Sequence, residues 1–117
     1  MNKAEKILKM YEKTGALQKG HFVLSSGMHS SVYLQSAKVL SVPEYLKYIG
    51  QELANIIRNK FEYSKLNLIV SPAMGGVIIG SKVGEILKKR NIFFIFLIIF
   101  IHFKRHTNAI TIFNFIV

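Results

Sequence analysis

Apolar positions recur along the first 91 residues with readable periods. Ala4, Ile7, Leu8 and Tyr11 fall at helical spacing with lysines between them, and Thr14-Gly15 supplies a stop, so an amphipathic helix is predicted over residues 3–14. Phe22-Val-Leu24 and Val32-Tyr-Leu-Gln35 read as two short strands around a polar turn from Ser25 to Ser31. Ser41-Val-Pro-Glu44 has the spacing of a capping box with Pro43 in the first turn. Tyr45, Ile49, Leu53, Ile56 and Ile57 then mark one face of a helix running to Lys60. Leu66 to Val70 is a short apolar run suited to a strand buried on both faces of a parallel sheet. It leads through Ser71-Pro72-Ala73-Met74-Gly75-Gly76 into a helix marked by Val77, Ile78, Val83, Ile86 and Leu87, with Lys88, Lys89 and Arg90 expected in its last turn, where cations suit the helix dipole. A strand, a glycine loop and a helix in that order are how α/β sheets begin.

The pattern breaks near residue 91. Ile92 to Ile101 is an unbroken apolar run of ten, seven of the nine Phe lie at or beyond Phe93, and residues 92–117 hold no Gly, Pro, Asp or Glu. A membrane helix wants about 20 apolar residues, so this run is too short to span a bilayer. As an uncovered strand it would be an aggregation segment.

At 117 residues the chain has the length of one small domain. Half its residues are hydrophobic and 19% are charged, which excludes intrinsic disorder as a description of the whole. A formal charge of +10 favours an anionic partner: nucleic acid, a membrane surface or a phosphorylated metabolite. With no cysteine, disulfides, thiolate catalysis and Cys-based metal sites are excluded. The six acids are all glutamates, at positions 5, 12, 44, 52, 62 and 85, so no mechanism that needs an Asp is complete within these residues. The amino terminus lacks an apolar signal core, and a cytoplasmic location is expected.

Two segments can carry chemistry. Adjacent Gly75 and Gly76 between a buried strand and a helix leave backbone amides open to an anion such as pyrophosphate, with the helix dipole in support. The same glycines also suit a tight connection with close packing, and neither GxxxxGK[ST] nor GxGxxG is present. The Leu24 to Ser31 loop offers hydroxyls and a glycine, which suits a phosphate or carbonyl ligand as well as it suits plain solvation. His21 and His29 lie eight apart with no acid near them in sequence. His102 and His106 have the spacing of one helical face but lack a third ligand, so no metal site is expected. Lys3, Lys6, Lys9 and Lys13 form the solvated side of an amphipathic helix, which gives no reason to expect a nucleic-acid partner.

Lys19 to Gln35 (KGHFVLSSGMHSSVYLQ), Ala37 to Leu40 (AKVL) and Val70 to Gly80 (VSPAMGGVIIG), in this order and spacing, resemble orotate phosphoribosyltransferase. The resemblance covers about residues 3–94 and implies the amino-terminal part of a type I phosphoribosyltransferase α/β fold: a mostly parallel sheet flanked by helices, with a small hood, incomplete on its carboxy-terminal side. It implies transfer of the 5-phosphoribosyl group from phosphoribosyl pyrophosphate to orotate, giving orotidine 5'-monophosphate and pyrophosphate with magnesium in pyrimidine synthesis. Ala73, Met74, Gly75 and Gly76 would hold pyrophosphate, in a loop where the family often has an unusual peptide geometry, and Ser25, Ser26 and Gly27 would line the substrate side of the hood. Some branches carry Lys at the position of Ser25. The family is usually a homodimer with shared active sites.

After Ile92-Phe93-Phe94 the family continues with a polar stretch, a basic loop, and a strand ending in adjacent acids before a Thr/Gly-rich turn for the ribose 5-phosphate. This chain has no acid after Glu85. The expectation is therefore a phosphoribosyltransferase part over 1–94 and a frameshift-derived apolar tail over 95–117, inactive as this chain and without a retained protein ligand for magnesium. The rival expectations are a non-catalytic module of the same fold that binds an anionic metabolite or a partner, and a small basic protein of membrane surfaces.

Overall fold

A computed structural model describes residues 1–24 and 26–94, together with the backbone of 109–111. The chain divides into two compact units, Met1–Tyr45 and Leu46–Val117.

The first unit opens with α1 (Lys3–Lys13). Asn2 caps it: its side-chain oxygen accepts from the Glu5 N–H at 2.9 Å, and the Glu5 carboxylate accepts from the Asn2 N–H at 3.0 Å. This reciprocal pair satisfies two of the donors that a helix start leaves over. The predicted stop holds, with the Thr14 hydroxyl donating to Met10 O at 2.9 Å and Gly15 at a φ of 67°. Strands β1 (Leu17–Val23) and β2 (His29–Leu34) then pair antiparallel, longer than the apolar triplets that betray them. Their register shifts by one residue between Lys19 and Phe22, a bulge in β1. Gln35 N–H donates to Ala16 O at 2.8 Å and closes the base of the hairpin. A short helix that periodicity does not show, α2 (Ser36–Leu40), buries Val39 and Leu40, and Tyr11 Oη lies 2.9 Å from Ser36 Oγ, linking α1 to α2.

The expected capping box at Ser41 is not made. Ser41 closes α2 instead, its hydroxyl donating back to Lys38 O at 2.7 Å, and α3 (Pro43–Lys60) starts at the proline. Proline suits that first position because it has no N–H to satisfy and its φ is already helical. The buried positions of α3 are Gly50, Ala54 and Ile57: of the expected face Ile57 is buried, while Gly50 and Ala54 lie one residue on from Ile49 and Leu53. Gly50 explains the offset: a Cβ there would come within 2.6 Å of Lys82 Cγ and 3.3 Å of Ile86 Cδ1, so the small residues take the contact seam.

The second unit holds a three-stranded parallel sheet in the order β4-β3-β5, with β3 (Leu68–Pro72) central, β4 (Arg90–Phe94) on one side and β5 (Ala109–Thr111) on the other. Leu68, Ile69, Val70 and Ser71 are all buried, as a central strand requires. Helix α4 (Val77–Leu87) connects β3 to β4 and buries Ile79, Val83 and Leu87. Each such side chain contributes about 1.5–3 kcal/mol relative to exposure. The approach is close because Gly76, Gly80 and Gly84 recur every fourth residue: a Cβ on them would strike Pro72, Ser71, and Lys89 O with Asn91, respectively.

Helix α4 is shorter than expected. It ends at Leu87, Lys88 takes a left-handed conformation (φ 54°, ψ 44°), and Arg90 already belongs to β4, so its last turn contains no cation. Lys89 N–H donates to Gly84 O at 3.0 Å, which reverses the chain into the sheet. The terminal carbonyls of α4 are met from elsewhere. Tyr63 Oη donates to Leu87 O at 2.5 Å, and Arg58 Nη2 donates to Ile86 O at 3.4 Å. Among the described residues no helix is long and apolar enough to cross a membrane.

Candidate functional site

The loop between β3 and α4 is built by its two ends. Ala73 N–H donates to Phe94 O at 2.9 Å and ties the loop to the end of β4, while Gly76 N–H donates to Pro72 O at 2.9 Å and turns the chain into the helix. The Ala73–Met74 peptide bond is cis. Val77 N–H donates to Met74 O at 3.1 Å. Between these anchors, no acceptor among the described residues takes the N–H of Met74 or Gly75. Helix α4 has Gly76 as its N-cap residue, without a side-chain cap and without an acid in its first turn, so its partial positive charge is uncompensated there.

The two glycines differ in kind. A Cβ on Gly76 would fall 2.7 Å from Pro72 O and 2.6 Å from Pro72 Cδ, so only glycine fits. A Cβ on Gly75 would meet nothing within 4 Å. Gly76 is thus a packing residue, and Gly75 leaves open space beside two unused amides. Ala73 is half-buried, while Met74 and Gly75 face solvent. The arrangement can accept an anion through backbone donors and the helix dipole without any side-chain charge.

In the hairpin unit, Ser26 and Gly27 sit at the exposed tip between β1 and β2. Gly27 takes a φ of 83°, and its N–H donates to Leu24 O at 2.8 Å. Leu24 N–H in turn donates to Met28 O at 2.8 Å, which closes a tight turn. Ser26 Oγ accepts from Met28 N–H at 3.4 Å, so the Ser26 hydroxyl hydrogen points to no internal acceptor among the described residues. Ser25 lies outside the described residues, as do His102 and His106.

Two contacts were missed by reading along the chain. His21 Nε2 and His29 Nδ1 lie 2.6 Å apart, and the hairpin pairing of the segments around them is the signal that could have found this. Asn91 Nδ2 donates to the buried Ser71 Oγ at 2.9 Å and lies 3.3 Å from Ile69 O. Among the described residues no three His, Asp or Glu cluster.

No family model matches the chain. Comparison with curated proteins gives orotate phosphoribosyltransferase of Thermotoga petrophila, 48% identical over 87 residues, which are 74% of this chain and 44% of that protein. Among solved structures, orotate phosphoribosyltransferase of Aeropyrum pernix superposes with a TM-score of 0.63 at 25% identity, covering 74% of this chain and 51% of that one. UMP synthase of Leishmania donovani shares the fold, with a TM-score of 0.69 at 17% identity over 79% of this chain and 20% of that one. The chain therefore spans less than half the length of the curated relative. Over about three quarters of its length this chain is thus similar in sequence and fold to part of the orotate phosphoribosyltransferases, with an α/β fold of the type I phosphoribosyltransferase kind.

Proposed function

We propose that the chain is a segment of an orotate phosphoribosyltransferase, the enzyme that moves the 5-phosphoribosyl group from phosphoribosyl pyrophosphate to orotate in pyrimidine synthesis. The observation that carries this reading is the Ala73–Gly76 loop, where the Met74 and Gly75 amides have no acceptor among the described residues and Gly75 leaves room beside them. In such a reaction the leaving pyrophosphate gains charge as the glycosidic carbon becomes cation-like. Prearranged amides and a helix amino terminus stabilise that charge without reorganising. A chain of charge +10 also helps to collect anionic substrates. In the other unit, Ser26 and Gly27 are carried over as substrate-binding residues by the family resemblance alone.

Turnover needs more than this loop. The family's adjacent acids and Thr/Gly-rich turn are not among these 117 residues, which hold no Asp and no acid after Glu85. No step is assigned to magnesium. The reading is thus binding of pyrophosphate by residues 1–94 without turnover, with residues 95–117 the product of a shifted reading frame. Calorimetric titration with pyrophosphate, beside an assay with orotate and phosphoribosyl pyrophosphate, tests the first part. Saturable binding without product supports it, and absence of binding or normal turnover refutes it. Translating the encoding DNA downstream of the Phe94 codon in all three frames tests the second. Adjacent acids before a Thr/Gly-rich turn in another frame support it, and closed frames refute it.

A further inference from the structure

The β1–β2 hairpin brings two imidazoles together. His29 pairs with Val23 across the ladder, and His21 lies two residues before Val23, so the two histidines are diagonal neighbours on adjacent strands. The bulge between Lys19 and Phe22 falls beside His21, and bulges re-aim the side chains next to them. The result is a contact of 2.6 Å between His21 Nε2 and His29 Nδ1, with ring centroids 4.8 Å apart and planes 87° to each other. Both residues are exposed, so the pair is open to solvent and to solutes.

We propose that His21 and His29 form a two-imidazole site for a divalent transition-metal ion of the Cu²⁺, Ni²⁺ and Zn²⁺ class, spanning β1 and β2 at the base of the Leu24–Met28 turn. Two imidazole nitrogens bound side by side to one such ion at about 2.0–2.1 Å stand roughly 2.9–3.4 Å apart, depending on the bond angle. The observed separation is a little shorter, and rotation of two exposed rings covers the difference. Binding requires a lone pair from His21 Nε2 and another from His29 Nδ1. The single hydrogen between them moves to the far nitrogen of its own ring, so two neutral imidazoles remain neutral and no other base is required. Water or a small anion completes the coordination, since no third His, Asp or Glu joins the pair among the described residues. A site of two nitrogens follows the usual order of affinities, with Cu²⁺ first. Mg²⁺, which takes oxygen ligands, is excluded. This inference does not depend on the proposed enzyme family or on turnover.

The test is a Cu²⁺ titration of the full chain, with pulsed electron paramagnetic resonance to count coordinated imidazoles. The expected result is a single strong site with two imidazole nitrogens. His21→Gln and His29→Gln each weaken it roughly a hundredfold, because the second ligand of a chelate acts at high effective concentration. The double variant His102→Gln/His106→Gln retains it, and Mg²⁺ neither binds nor competes. A spectrum of the unmodified chain with at most one imidazole overturns the proposal without reference to any variant. So does an affinity that His21→Gln or His29→Gln leaves within about twofold, where chelation predicts far more. Loss of the strong site in the His102→Gln/His106→Gln variant overturns it as well. Far-ultraviolet circular dichroism of each variant confirms that the fold is kept.

Discussion

Asn91 reaches from β4 to the buried hydroxyl of Ser71 on β3, its side-chain nitrogen 2.9 Å from Ser71 Oγ. Ser71 is the only polar residue fully buried among the described residues, and a polar group with no access to water is costly unless it is bonded. Asn91→Ala therefore leaves Ser71 without its donor and is expected to cost about 1–3 kcal/mol in urea unfolding. Ser71→Ala made in that background should cost less than it does alone. Strictly additive losses in this double-mutant cycle would show that the pair is not coupled.

The neighbouring glycines of the loop separate stability from binding. Gly76→Ala drives a Cβ against Pro72 and is expected to destabilise by about 1–3 kcal/mol, with Gly80→Ala, which meets Ser71, behaving alike. Gly75→Ala meets nothing and should leave stability within about 0.5 kcal/mol. Gly75→Val is expected to fold normally as well and to weaken pyrophosphate binding in calorimetry. Unchanged affinity in Gly75→Val would remove the anion from this loop.

Lys88 is the one non-glycine residue with a positive φ among the described residues. The left-handed conformation costs a side chain about 1 kcal/mol, and glycine is the usual occupant just past a helix end. Lys88→Gly should therefore raise the urea midpoint, with a gain of about 1 kcal/mol at most, since glycine also loses more chain entropy on folding. A lower midpoint would mean that the Lys88 side chain holds the turn by a contact of its own.

Tyr63 closes the end of α4 through its hydroxyl on Leu87 O, and its ring carries the Lys89 ammonium at 4.2 Å from the centroid. Tyr63→Phe keeps the ring and removes the donor. A loss of about 0.5–1.5 kcal/mol is expected in urea unfolding. No loss would mean that water replaces the hydroxyl at no cost.

These positions show which parts of the fold could be read along the chain. Leu68 to Val70 betrays the central strand because burial on both faces demands consecutive apolar residues, although the strand runs to Pro72 and begins two residues after the expected Leu66, and α1 shows its period because one side of it is wet. In α3 the period finds the buried Ile57 but picks Ile49 and Leu53 over their neighbours, because a period count weighs large apolar side chains, whereas the contact is made where Gly50 and Ala54 let another helix come near. Ser41 has the spacing of a cap for α3, but α2 ends at the same residue and takes its hydroxyl first. Lys88 gave no sign of its backbone conformation, since lysine rarely adopts it. At the site, the glycine loop was legible from local sequence. The meeting of His21 with His29 and of Asn91 with Ser71 was not, because each depends on strand register. Ser25 lies outside the described residues.

The unlike surroundings of Gly75 and Gly76 also leave a mark that can be read across generations. Folding alone forbids replacement of Gly76, whatever the protein does, whereas nothing in the fold forbids replacement of Gly75. If the proposed anion is what keeps Gly75, a lineage that no longer needs it lets Gly75 drift while Gly76 and Gly80 stay, so the two positions report separately on binding and on the fold.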